Sequence, residues 1–449
     1  MNPAIAFFVA LFLVPFGAFA SEPAFEREVS PGGLVFWHSF RSDLPRETIE
    51  VGWRDGLLYA RPGKEGLGLV GAAMMRKAAS AYHENDLWEA MMDIGAEADI
   101  SADGQTLRAF VRGDGARLPK AVAIAASVLA APLPDVDVLQ GIARQVSRNL
   151  DLAELMPVNV ARRAAYRYGE PENPLLRLSD PAGFQNVTRE DVEDWRRNVV
   201  ARDNLILAAD GPKSAEEAGR LLDKLVAGVS GQASLPPRPA FAFRARPLTI
   251  VIVSAGPQTT FVKVAPTAIG LGPARLPFEL AVSALGEGPE SRLIRDARQR
   301  LGAAYDLRAA LSTDRENQPL LIAGAVPNDK AVAVLAAVDR TYEDWRRRSV
   351  DGAELQAARE RLLAKENAYL QRPGGAAEAF VVSMLEGEAP NTPFEAERRL
   401  AALTPEAVNV AVRQAFPAGP LLTIIVAPNA APFHADCVVH DWREVDTCK

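Results

Sequence analysis

Apolar and polar positions along this chain follow two periods, near 3.6 for helix and 2 for strand. The periods change in the same order twice. In the first half, "WEAMMDIGAEADISADGQTLRAFVRG" reads as a helix, a Gly-Ala break, a strand, a turn and a second strand, followed by the apolar-periodic helix "LPKAVAIAASVLA". In the second half, "IRDARQRLGAAYDLRAALSTDRENQPLLIAGAV" and then "NDKAVAVLAAVDRTYEDW" repeat that order. Further on, "VTREDVEDWRRNVVARDNLILAADG" is matched by "LTPEAVNVAVRQAFPAGPLLTIIVAPN". Each of these predicts a helix capped by a threonine, Thr188 or Thr404, and then an apolar strand. A unit of this length is a whole domain rather than a solenoid repeat. The order predicts an α+β fold of two tandem homologous α/β sandwich domains, each a mixed sheet with helices packed on one side.

Between the halves, "SGQASLPPRPAFAFRARP" (230–247) is rich in Pro, Ser and Gly, has neither period, and reads as a linker. The expected domains are therefore 21–229 and 248–430, with a tail at 431–449. Residues 1–20, "MNPAIAFFVALFLVPFGAFA", stand apart. They are uncharged and apolar and end in Ala18-Phe19-Ala20, a small-x-small cleavage pattern. They predict a secretory signal peptide, cut before Ser21, and a periplasmic or secreted mature chain. Its n-region lacks Lys or Arg, so the terminal amine alone supplies positive charge. Nothing after residue 20 is apolar for long enough to span a bilayer.

Composition narrows the partners. With 449 residues the chain has ample core to fold without staples. A formal net charge of −7 argues against nucleic acid, because phosphate binding needs a basic face. The two cysteines, Cys437 and Cys448, both lie in the tail. In an oxidising compartment they most simply make one disulfide. A competing reading joins them with His434 and His440 in a Cys2His2 zinc tetrad.

Elsewhere the usual catalytic signatures are missing. His83 sits beside Glu84, and adjacent residues on a helix face different ways, so they read as a polar helix start. The stretch "GEGPESRL" (286–293) lacks the Lys-Ser/Thr of a phosphate loop, and Pro289 fits a helix N1 position. No Gly-x-Ser-x-Gly elbow occurs. What stands out is "RDARQRLGAAYDLR" (295–308), which sets Arg298 and Tyr305 seven positions apart across a glycine break. A planar cation and a phenol can both donate to a peptide carbonyl.

The two tandem halves and the run "SRLIRDARQRLGAAYDL" resemble the insulinase, pitrilysin and mitochondrial-processing-peptidase family of zinc peptidases. The resemblance spans most of the chain after residue 20. It implies an H-x-x-E-H zinc helix in the first domain and a distant glutamate as third ligand. In register that motif falls on Leu69, Val70, Gly71, Ala72 and Ala73 of "EGLGLVGAAMM", so both His ligands and the Glu base are replaced. No glutamate occurs between Glu97 and Glu154, where "QGIARQVSRNL" should carry the third ligand. Without imidazoles and a carboxylate no zinc is held and no water activated. The family's Arg/Tyr pair, by contrast, maps onto Arg298 and Tyr305, with Leu301 and Gly302 matching the turn. The resemblance thus implies the non-zinc subunit of a bacterial heterodimer, itself without cofactor. It would act on peptides beside a homologous subunit that carries the zinc. An inert scaffold or peptide-binding protein of the same fold is the alternative.

Overall fold

The structure is a computed structural model that describes residues 23–54, 63–77, 87–103, 106–131, 133, 135–170, 182–235, 243, 246–267, 269–270, 273–301, 306–312, 319–348 and 350–448. The signal-peptide reading and half of the linker lie outside these residues. The first half runs β1 (Glu26–Val29), β2 (Val35–Phe40), β3 (Glu47–Arg54), α1 (Leu67–Arg76), α2 (Leu87–Asp93), β4 (Glu97–Asp103), β5 (Thr106–Gly113), α3 (Leu118–Ala130), α4 (Val136–Glu154), α5 (Pro157–Gly169), α6 (Ala182–Gln185), α7 (Arg189–Val199), β6 (Leu205–Gly211) and α8 (Ala215–Leu225). The second runs β7 (Thr249–Val253), β8 (Gln258–Ala265), α9 (Leu276–Gly286), α10 (Arg292–Leu301), β9 (Asp306–Leu311), β10 (Leu320–Pro327), α11 (Ala331–Arg348), α12 (Gly352–Gln371), α13 (Gly375–Leu385), α14 (Ala396–Ala401), α15 (Pro405–Ala415), β11 (Leu422–Ala427) and β12 (Cys437–Val439).

The strands form two six-stranded mixed sheets, ordered β1-β2-β6-β3-β5-β4 and β12-β7-β11-β8-β10-β9. Taken position by position, five strands of one sheet have a counterpart in the other. The sixth does not: β1 comes from the start of the chain and runs antiparallel to β2, whereas β12 comes from its end and runs parallel to β7. The repeat read from the hydrophobic pattern is therefore a structural repeat. Thr188 and Thr404 cap α7 and α15, each accepting a backbone N–H three residues on. One detail differs. Pro289 precedes the helix rather than opening it, because α10 starts at Arg292. The buried Ser291 just before it is pinned by its hydroxyl to the Gly288 carbonyl at 2.7 Å.

Period-two strands bury both faces, and the two faces are covered from different halves. Ile49, Val51, Trp53, Leu207 and Ala209 point into a core shared with α1, α3, α4 and α7 of their own half. On the opposite face, Ile206 and Ala208 meet Ala376, Ala377, Phe380 and Val381 of α13, a helix of the second half. The second sheet mirrors this. Ile250, Ile252, Val262, Ile424 and Val426 lie under Ala161, Ala164 and Ala165 of α5, a helix of the first half. The expected one-sided sandwich thus gains one exchanged helix on each outer face, which removes apolar surface the repeat alone would leave in water. Alanines along α5 let it lie close against the strands, and Gly52 of β3 leaves room for Val381 and Leu385.

Charged residues pin the exchange. Arg108 of β5 bonds Glu378 of α13 at 2.8 Å and reaches Glu50 of β3 at 3.4 Å. Gly374 opens α13 with φ +72, and a Cβ there would lie 2.1 Å from Nη2 of Arg112. The left-handed backbone favours glycine there, and a Cβ would also push the Arg112 guanidinium aside. The N-terminal segment joins in, with Phe25 stacked on Phe380 at 4.4 Å and its N–H donated to Asn391 at 2.9 Å. Phe243, from the expected linker, is buried against Tyr166.

Candidate functional site

The Arg/Tyr reading rests on the step from α10 to β9. Leu293 and Ala297 are buried and seat α10 in the second core. On its polar side Arg292 donates to Glu354 of α12 at 2.7 Å, and Thr341 of α11 donates to Asp296 at 2.7 Å. Arg298 therefore belongs to the last stretch of a firmly docked helix. The strand resumes at Asp306, one residue after Tyr305, and β9 is the outermost strand of its sheet. Helix and strand thus fall where the sequence put them. The Arg298 side chain and residues 302–305, Tyr305 included, lie outside the described residues, so the contact between the pair is not part of this geometry.

The erased zinc helix can be followed closely. The five motif positions lie inside α1, which packs on α4, α7 and β4. Val70, Ala72 and Ala73 are buried, and Leu69 packs partly buried against the same core. At Gly71 a Cβ would sit 2.5 Å from the Trp195 ring, so α1 presses directly on α7. From the facing α4, Leu139, Ile142 and Ala143 complete a dry apolar contact. Among the described residues no group of three or more His, Cys, Asp or Glu could hold a metal ion. The donor set does not fit zinc, and hydrocarbon fills the place of the ligands.

The remaining histidines offer nothing to a site here. His38 is buried in the first sheet with Nε2 against the Lys213 carbonyl at 3.1 Å, and burial holds its pKa below the ordinary value. His83 is outside the described residues. In the tail, Cys437 and Cys448 are joined in a disulfide with Cα atoms 5.7 Å apart, so neither thiol is available to the tetrad reading.

The periodicity gave no hint of a buried ionic group between the halves. Glu50 is 2% exposed, and burial pushes its carboxyl up to about 8, because its nearby cation Arg108 lies closer to Glu378. In the sequence, "ETIEVGWR" looks like a strand with one polar edge. Nothing local announces that a helix more than 300 residues later will cover that edge.

Comparison with known proteins agrees with this geometry. Residues 186–362 match the family described as the peptidase M16 inactive domain. This stretch belongs to that M16 family. The whole chain has the M16 fold. The M16 inactive domain from Pseudomonas fluorescens superposes with a TM-score of 0.79 at 16% identity, over 90% of this chain and 98% of its own. A protease from Helicobacter pylori gives 0.78 at 15% identity, over 90% and 99%. The periplasmic protease PqqL from Escherichia coli gives 0.72 at 14% identity, over 95% of this chain and 49% of its own, so this chain spans about half its length. No curated protein sequence matches. The family resemblance read from the sequence holds; the matched stretch begins after α1, so the closed zinc helix is an observation of the structure alone.

Proposed function

We infer that this chain is the non-zinc subunit of a two-subunit zinc peptidase, exported to the periplasm and inactive alone. One observation carries the reading. Arg298 is intact on a docked helix and Tyr305 is intact in the sequence, one position before the edge strand begins, in a chain whose own zinc helix is sealed. A preorganised guanidinium and phenol aimed at a peptide carbonyl stabilise the oxyanion that develops there, and in a dry site this is worth several kcal/mol. Zinc and the activated water would come from a homologous partner with an intact H-x-x-E-H helix. The likeness to a periplasmic protease and the Ala18-Phe19-Ala20 pattern support export, with residues 21–229 and 248–430 as the two domains and 230–247 between them. No helix among the described residues is long and apolar enough to cross a membrane.

The test is reconstitution with the zinc-bearing homologue. Peptide turnover is expected only from the pair. Tyr305→Phe, which removes only a hydroxyl, should lower kcat by roughly 10²–10³-fold with assembly unchanged on size exclusion. Arg298→Lys keeps the charge but loses the planar fork, so it should rescue only partly. Wild-type turnover by an assembled Arg298→Ala/Tyr305→Phe complex would favour an inert scaffold instead.

A further inference from the structure

The second half holds a cleft of about 690 Å³ at the place that corresponds to the lost zinc site. It is bounded by α9, α12 and the edge strand β9. These elements pack on one another as α1, α4 and β4 do in the first half. Three features of the cleft converge. First, β9 pairs with β10 from Asp306↔Ala325 to Leu311↔Leu320, and among the described residues no strand covers its outer edge. An edge strand without a strand partner can add one from another chain, although the end of α9 comes close to it at Ala309, where a Cβ on Gly286 would lie 2.4 Å from the backbone nitrogen. Second, Leu276, Leu362 and Leu400 give the cleft an apolar wall that suits alternate side chains of an extended segment. Third, its charges do not cancel: Arg275, Arg308 and Lys365 line it against Glu279, Glu287, Asp306 and Glu366. Arg275 bonds Glu279 at 2.7 Å and Lys365 bonds Glu287 at 3.6 Å, which neutralises two carboxylates. Glu366 on α12 is half-buried in the same cleft and is bonded to neither cation. Burial, and then the charge of Glu279, hold its carboxyl above the ordinary range. A carboxylate in that state gains most from a cation brought into contact with it.

We propose that this cleft binds an extended peptide, added as a strand along β9, with a lysine or arginine side chain of that peptide against Glu366. Main-chain bonds to β9 would supply affinity, and Glu366 would supply the preference for a basic residue. The proposal rests on the reading of this chain as a peptide-handling subunit and names its substrate class. It does not depend on catalysis, because every residue used here to argue the cleft comes from one chain.

The experiment uses the purified chain without any partner. Fluorescein-labelled ten-residue peptides of Ala, Val and Thr, identical except for a central lysine or norleucine, are titrated at pH 7.5 and followed by anisotropy. The lysine peptide is expected to bind about tenfold tighter, as one desolvated charged hydrogen bond supplies. Glu366→Gln, nearly isosteric, should erase that preference while leaving the norleucine peptide unchanged, with thermal melting as the check on folding. N-methylation of alternate backbone amides should weaken both peptides. Equal binding of the two peptides, or a Glu366→Gln chain that keeps the preference, would overturn the assignment of Glu366. Indifference to N-methylation would overturn the strand geometry. Adding the zinc subunit separates the two readings. In the pair, Glu366→Gln should raise KM for lysine peptides at unchanged kcat, whereas a pair without turnover would refute the two-subunit reading and leave single-chain binding intact.

Discussion

At the scale of single residues, the difference between this chain and a zinc peptidase is a matter of packing as well as missing ligands. Restoring the motif as Leu69→His, Ala72→Glu and Ala73→His would place a carboxylate at Ala72, which is 3% exposed beneath α4. We expect the triple variant to hold no stoichiometric zinc by metal analysis, since the face of α4 in the same core offers Leu139, Ile142 and Ala143 and no carboxylate. It should also lose about 3 kcal/mol or more of stability in denaturant melts, the range for burying an unpaired charge. Glu50 makes the opposite test. Its folded pKa is about 8 against an ordinary 4.5, so between these values the folded state holds a proton that the unfolded state has lost. Its contribution therefore falls as pH rises through that window, by about 1.4 kcal/mol per pH unit at most. Glu47, raised by burial to about 7, adds the same sign. Glu50→Gln should flatten the decline in melting temperature between pH 6 and about 8 and raise stability at the upper end. An unchanged decline in the variant would mean that Arg108 keeps Glu50 ionised. The motif residues were legible in the sequence because a register could be counted to them. Glu50, Glu366 and Arg108 were not, since their surroundings come from α13, α9 and β3, far away in sequence.

At the scale of elements, the repeat was almost wholly legible. Each helix and strand carries its own period, and Thr188 and Thr404 marked helix starts that the structure reproduces. What stayed hidden was which sheet each helix would cover. The alanine face of α5 is equally suited to either half, and only the assembled molecule assigns it. The tail is part of that assignment. The Trp442 ring meets the guanidiniums of Arg443, at 4.6 Å, and of Arg167 of α5, at 5.8 Å. Arg167 bonds Asp446 at 2.9 Å, Arg443 bonds Glu154 at 3.1 Å, and Val445 and Cys448 enter the core that α5 shares with the second sheet. The disulfide closes this strap over a separation of 11 residues. Cys437→Ser/Cys448→Ser is expected to cost about 2–3 kcal/mol. Amide exchange should speed up in α5 more than in α13, because only α5 lies under the tail. The intact mass of the exported chain should fit a start at Ser21, with no thiol open to alkylation before reduction. Two reactive thiols would remove the strap.

At the scale of the whole molecule, reciprocal cover by α5 and α13 makes the two halves one cooperative body. Produced separately, residues 21–229 and 248–449 should each be poorly soluble or bind hydrophobic dyes, whereas co-production should restore a soluble pair with native circular dichroism. A first half that folds alone and melts sharply would contradict this. The same arrangement sets a schedule on synthesis. A chain grows from its N-terminus, and domains generally fold as they emerge. Here Phe25, Ile206 and Ala208 have no lid until Ala376, Ala377 and Phe380 have been made. The first sheet must then wait, one greasy side open, for well over a hundred residues of later chain, so the nascent protein is a client for chaperones through most of its birth.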